Sequence, residues 1–258
     1  MRAEVENNLV LGLARDQARV RLERDTRYFA TVVEGNEIVG CAVRTPPFPL
    51  AITRLPDDEA ASVLVADVSA RYPGLDDVGG PEPSAAQFAA AWAKLYGGDV
   101  RQDKRQRLYE LRSVAPDVPK PAGQLRAASA DDADLLERWV AAFITDTGFG
   151  EKNDPAEVVR ARLESGRLFV WDDGKPVSMA GWSGKTQNGV RVNLVYTPDE
   201  YRRRGYATGS VAALSQQLLE NGNSYCCLYT DLANPTSNSI YQRIGYRPVC
   251  DVGHYLLS

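Results

Sequence analysis

The residues with the clearest chemistry stand together at Arg202-Arg203-Arg204-Gly205-Tyr206-Ala207-Thr208, four residues after Pro198, between a predicted strand and a predicted helix. Their position gives them meaning. At a helix start the first backbone N–H groups lack intrahelical acceptors, and the helix dipole adds partial positive charge there. Gly205 permits close backbone approach or an unusual dihedral angle, and the small Ala207 leaves room beside it. With three cationic side chains, such a turn suits an anionic pyrophosphate. An arginine run alone reads as solvated charge; the preceding strand and proline, with glycine and alanine at these spacings, point to phosphate. No G-K-S or G-K-T follows, and only one glycine of G-x-G-x-x-G is in place, so Walker-type triphosphate hydrolysis and a dinucleotide fingerprint are both excluded.

The elements that must position this turn follow from periodicity and punctuation. From Gln124 onward the pattern predicts a strand (Leu125 to Ala128), a helix capped by Ser129 or Asp131 and running to Phe143, and an acidic loop. A helix from Pro155 to about Glu164 comes next, then strands over Leu168 to Trp171, Val177 to Trp182 and Val190 to Tyr196. A long helix from Gly205 to Leu219, a strand from Cys226 to Thr230, a helix near Ser237 to Arg243 and a strand near Val249 to Leu256 complete the chain. Antiparallel runs mixed with βα crossovers predict an α/β, or α+β mixed-sheet, three-layer domain. The first half predicts a surface helix over Glu4 to about Leu22, a hairpin (Tyr28 to Val33 and Ile38 to Val43) and helices from Asp57-Asp58 to Ala70 and from Pro83-Ser84 to Leu95. A strand follows from Gln106 to Val114. Prolines crowd the segment after Val114, which is read as a linker over residues 116–123 between domains spanning 1–115 and 124–258.

On these residues the sequence resembles the GCN5-related N-acetyltransferase family. Arg202-Arg203-Arg204-Gly205-Tyr206-Ala207 matches that family's R/Q-x-x-G-x-G/A acyl-CoA signature. A second segment, Asn234-Pro-Thr-Ser237-Asn-Ser-Ile240-Tyr241-Gln-Arg-Ile-Gly245-Tyr246, is similar to the family's N-x-x-A-x-x-L-Y-x-x-x-G-F, with serine, isoleucine and tyrosine replacing alanine, leucine and phenylalanine. Two motifs in the right order are worth more than either alone. The resemblance covers the C-terminal half. It implies that the N-terminal half, whose element order echoes the C-terminal one, is a degenerate copy, as in some two-domain bacterial members.

Moving an acyl group from a thioester to an amine requires a deprotonated amine, a polarised carbonyl and a protonated leaving thiolate. The resemblance implies acetyl-CoA as cosubstrate, with the backbone of Leu194, Val195 and Tyr196 along the pantetheine and thioester. Arg202, Arg203, Arg204, Gly205, Tyr206, Ala207 and Thr208 would take the pyrophosphate, and Asn234 would contact the coenzyme arm. Tyr241 falls where the family often keeps a general acid, and Asp231 is the candidate general base. The strands offer Arg191, Asn193 and Tyr229 where better-known members carry glutamate, so an ordered water chain or no dedicated base is the alternative. Asp146, Glu151 and Asp154 would steer a cationic amine, and Trp182 would wall the acceptor side or fill the core.

Composition narrows the partners. A net charge of −4 gives no long-range attraction to nucleic acid or to an anionic membrane, and no apolar stretch is long enough to span a bilayer. The expectation is a soluble cytoplasmic protein, monomer or homodimer, acting on a small-molecule or peptide amine. Four cysteines (Cys41, Cys226, Cys227, Cys250) without C-x-x-C spacing, and a single histidine, His254, predict no metal site and reduced thiols. The alternatives to a small-molecule acetyltransferase are a catalytically weak acyl-CoA-binding regulatory module and an enzyme acting on protein N-termini or lysines.

Overall fold

The computed structural model describes residues 2–17, 26–148 and 153–258. In chain order the elements are α1 (Arg2–Glu6), α2 (Asn8–Gln17), β1 (Tyr28–Glu34), β2 (Glu37–Arg44), β3 (Leu50–Ile52), α3 (Asp58–Arg71), β4 (Asp77–Pro81), α4 (Ser84–Tyr96) and β5 (Val100–Leu111). They continue as β6 (Gln124–Ala127), α5 (Ala133–Thr147), α6 (Pro155–Glu164), β7 (Leu168–Asp172), β8 (Pro176–Ser183) and β9 (Gly189–Tyr196). The last are α7 (Tyr206–Glu220), β10 (Tyr225–Asp231), α8 (Pro235–Ile244) and β11 (Arg247–Leu257). The predicted first helix is thus two short helices, and its expected end at Leu22 lies outside the described residues.

These elements form two compact units that are not the two contiguous segments expected from the proline run. One comprises residues 1–108, 229–234 and 248–258; the other comprises 109–228 and 235–247. The chain changes unit inside β5, and residues 116–123 belong wholly to the second unit. A proline-rich composition specifies a stiff backbone, and it does not specify that the backbone is uncovered.

In the first unit the sheet order is β1-β2-β3-β4-β11-β5. β1 and β2 form the predicted hairpin, β3 runs parallel to β4, and β11 pairs antiparallel with β4 from Val252↔Pro81 to Leu256↔Asp77. Helices α3 and α4 bury Leu64, Val65, Phe88 and Trp92 on one face of this sheet, while Val10 of α2 packs with Val43 and Ala51 on the other. Asp57 caps α3 as predicted, its carboxylate accepting from the Ala60 N–H at 2.8 Å.

In the second unit the order is β10-β9-β8-β7-β6, with the last residues of β5 beside β10. One face carries α7 and α8, whose Val211, Leu214 and Ile244 pack on Tyr109, Leu111, Val190, Val192 and Leu228. The other carries α5 and α6, burying Leu136, Trp139 and Val159 on Leu168, Val170 and Met179. Both halves of the sequence read hairpin, strand, helix, parallel strand, helix, strand, so the predicted internal echo extends to strand direction. Each sheet also contains a strand from the other half of the sequence. No helix among the described residues is long and apolar enough to cross a membrane.

Candidate active site

Strand β9 is irregular near its C-terminal end. Asn193 pairs with Gly181 and Tyr196 with Met179, so β9 spends three residues where β8 spends two. The extra residue is a bulge at Leu194, which has a φ of 49°. A bulge reverses the alternation of side chains. Val190, Val192 and Val195 accordingly face the α7 side, while Leu194 and Tyr196 pack with α5 and α6. On the opposite edge, the parallel ladder with β10 runs only from Gly189 to Arg191. The ladder with β10 stops at Arg191, so the following stretch of that β9 edge has backbone groups that a ligand lying along it could meet; the Tyr196 carbonyl itself already accepts from the Ser178 hydroxyl at 3.0 Å.

At the end of that edge the chain turns through Pro198 into α7. Gly205 is the N-cap residue with φ 84°, a left-handed conformation that favours glycine, and no side chain among the described residues caps the helix. Asp57 and Asp154 cap α3 and α6, whereas α7, like α4, has no side-chain cap, which leaves its first-turn N–H groups without a side-chain acceptor. Beside this turn lies a cavity of about 150 Å³ lined by Lys120, Pro121, Arg204, Gly205, Thr208 and Arg243.

The arginines of the turn have different tasks. Arg202 is held in place, reaching Asp146 at 3.0 Å, Asp199 at 2.7 Å and the Thr197 carbonyl at 3.0 Å. Arg203 is exposed with φ 63°, and Arg204 lines the cavity. Tyr206, expected at the pyrophosphate, is instead buried against Trp171 and Val177 and donates to Asp173 at 2.6 Å, anchoring the helix start. Ala207 is half-buried and Thr208 is buried. Sequence reasoning missed Lys120 and Arg243; the first lay within a presumed linker, and the second was present in the quoted motif but was not singled out.

Tyr241 of α8 is buried, its ring meeting Tyr246 edge-on with centroids 6.0 Å apart. Burial pushes its phenol up to about 12, which keeps the proton in place at neutral pH. Asp231 is exposed, and its carboxylate accepts from the Ala233 N–H at 2.7 Å in the turn preceding α8. Asp231 and Asn234 fall in the 229–234 stretch of the first unit, whereas Tyr241 is in the second. The expected acidic loop is largely committed elsewhere: Asp146 sits in the last turn of α5 paired with Arg202, Asp154 caps α6, and Glu151 lies outside the described residues. Trp182 is half-buried, with the Arg167 guanidinium 4.9 Å from its ring.

All four cysteines are free; burial raises the Cys226 and Cys227 thiols to about 12. Neither is a nucleophile at neutral pH. His254 stands on β11 in the first unit, 3.3 Å from Asp103.

The model of the family described as FR47-like protein matches residues 171–252, from β7 to β11. No curated protein sequence matches the chain at a significant level. Among solved structures, a GCN5-related N-acetyltransferase from Kribbella flavida superposes with a TM-score of 0.66 at 17% identity, covering 99% of this chain and 95% of that one. A GCN5-related N-acetyltransferase from Sphaerobacter thermophilus gives 0.59 at 14% identity, with coverages of 99% and 90%. A tandem GNAT protein from the clavulanic acid biosynthesis pathway gives 0.55 at 12%, with coverages of 98% and 94%. At these identities the structures establish the fold, over nearly the full length of both chains. The matched segment spans the bulged strand, the uncapped helix and α8, and the chain as a whole has the fold of these GCN5-related N-acetyltransferase structures.

Proposed function

We propose that the second unit binds acetyl-CoA and transfers its acetyl group to a primary amine by direct attack. The observation that carries this reading is the bulged, open edge of β9 leading into the uncapped start of α7. That arrangement offers hydrogen-bonding backbone for an extended arm and an anion site at its end. When bound, acetyl-CoA supplies the activated acyl carbon. The β9 backbone at Leu194 to Tyr196 orients it, and the α7 N–H groups with Arg203 and Arg204 hold the pyrophosphate. Tyr241 keeps its phenolic proton at neutral pH and gives it to the departing sulfur as the C–S bond breaks and the C–N bond forms. The strand carries Arg191 and Asn193 where a carboxylate base would be expected, so the amine proton leaves to water. With their thiols raised to about 12, Cys226 and Cys227 do not form an acyl-enzyme.

The test is thiol release from acetyl-CoA against a panel of small amines and peptides, run beside calorimetric binding of acetyl-CoA. Release that depends on an amine supports transfer. Binding without release for any acceptor would leave an acyl-CoA-binding module, and no binding would refute the coenzyme assignment.

A further inference from the structure

We infer that the cavity beside α7 holds the 3′-phosphate of the coenzyme, and that Lys120 and Arg243 make the protein select coenzyme A over the form lacking that phosphate. The inference rests on the coenzyme A reading above and adds a specificity determinant to it.

Three elements distant in sequence bring cations to one cavity: Lys120 from the proline-rich segment, Arg204 from the turn and Arg243 from the last turn of α8. All three side chains are exposed, so water screens their mutual repulsion, but an anion placed among them would be attracted by all three. Neither Lys120 nor Arg243 forms an ion pair among the described residues, in contrast to Arg202, which is paired with two carboxylates. A cation at the end of α8 is favoured by the helix dipole, but that does not account for Lys120. The cavity wall also includes the Thr208 side chain, whose hydroxyl adds a hydrogen-bonding group to the three cations.

Lys120 is also pre-positioned. Pro121 lies against Gly209 of α7, and the Trp171 indole donates to the Ala122 carbonyl at 2.7 Å, so the segment carrying Lys120 is fixed on the helix before any ligand arrives. The charge balance favours a monoester. A bridging pyrophosphate carries about two negative charges, which the first-turn N–H groups with Arg203 and Arg204 already answer. A phosphate monoester adds about 1.5 to 2 more at neutral pH, matching Lys120 and Arg243.

The experiment is calorimetric titration of the full chain with coenzyme A, 3′-dephospho-coenzyme A and adenosine 3′,5′-bisphosphate, repeated on the double variant Lys120→Gln/Arg243→Gln. The expected result is that the wild type prefers coenzyme A by about tenfold or more, as charge-assisted contacts to a phosphate would give. In the double variant the preference disappears, while affinity for the dephospho form is unchanged. Equal wild-type affinity for both forms overturns the inference and leaves the coenzyme reading standing. Equal weakening of both forms in the double variant also overturns it, because the cations would then be serving the shared pyrophosphate. Failure of the wild type to bind any of the three refutes the coenzyme reading itself. Circular dichroism of the variant separates loss of fold from loss of contact.

Discussion

Pro121 and Gly209 are packed so closely that a Cβ added at position 209 would stand 2.8 Å from the proline Cγ and Cδ and 3.1 Å from the Trp171 ring. The proline-rich segment is therefore part of the wall of the second unit, and α7 keeps a glycine in its first turns to admit it. A Gly209→Val change must displace Pro121 or bend the helix, at a cost of about 1 to 3 kcal/mol for overpacking. Urea unfolding should show this loss, and coenzyme affinity should fall with it because Lys120 moves. A variant of unchanged stability would mean that the segment is free to leave the helix.

The different engagement of Arg202 and Arg204 predicts different phenotypes within one motif. Arg204→Glu places a negative charge in the cavity and should weaken acetyl-CoA binding by about a hundredfold, while leaving the unfolding midpoint nearly unchanged. Arg202→Met instead removes contacts to Asp146, Asp199 and the Thr197 carbonyl, loosening the join between α5 and the turn. Its expected effect is a loss of about 1 kcal/mol of stability, since these pairs are half-exposed, with a smaller loss of binding. Calorimetry and thermal unfolding on both variants check the assignment, and the reverse ranking would exchange the two roles.

What the sequence made legible, and what it hid, divides along local and non-local physics. Helix α6 was readable to the residue because Asp154-Pro155 is a complete local start signal, an N-cap carboxylate followed by a proline whose missing N–H costs nothing there. The start of α7 was readable from a different local signal, Gly205 after Pro198 and the arginine run. Strands β3 and β4 were not located in the sequence: β3 is three residues long directly after a run of prolines, and β4 reads Asp-Val-Gly-Gly-Pro, a composition that locally suggests a turn. Gly80 is there because a Cβ would stand 2.8 Å from the Ile52 carbonyl oxygen, a requirement visible only once the strands are side by side. The bulge at Leu194, the exchange of β5 and β11 between halves, and the cavity formed by Lys120 and Arg243 are likewise properties of distant segments meeting. The start of α3 carries Asp57, Asp58 and Glu59 where α7 has arginines, a charge pattern that repels a phosphate.

Tyr241 can be tested by its pH behaviour as well as by its removal. A general acid must be protonated to act, and burial moves this phenol up to about 12, so its protonated fraction does not change across the neutral range. With amine deprotonation left to water, turnover should rise with pH as the free amine accumulates, with no falling limb near the ordinary phenol value of about 10. Tyr241→Phe should reduce kcat by about a hundredfold with little change in coenzyme affinity, as loss of proton transfer does. Stability should be little affected, because the hydroxyl has no partner among the described residues. An unchanged rate, or a falling limb near 10 that persists in the Phe variant, would remove Tyr241 from the mechanism.

The entry to α5 predicts an acid-dependent loss of stability in the second unit. Arg126 of β6 donates to Asp132 through Nη1 at 2.7 Å and Nη2 at 2.9 Å, and to Asp172 through Nε at 2.8 Å, while the Ser129 N–H donates to Asp132 at 2.8 Å. The Arg126 guanidinium beside Asp132, helped by that N–H, holds its carboxyl below the usual carboxylate range. A carboxylate depressed in the folded state contributes stability that is complete above its unfolded value, about 3.9, and is lost as pH falls through the lower folded value. Asp132→Asn should therefore cost about 2 kcal/mol at neutral pH, through the cap and the broken pair, and less at acid pH as the native carboxyl itself takes up a proton. Urea unfolding of both proteins at neutral and at acid pH measures this directly. A penalty that stays constant with pH would show that the Asn side chain disturbs packing, and that the charge at Asp132 contributes nothing.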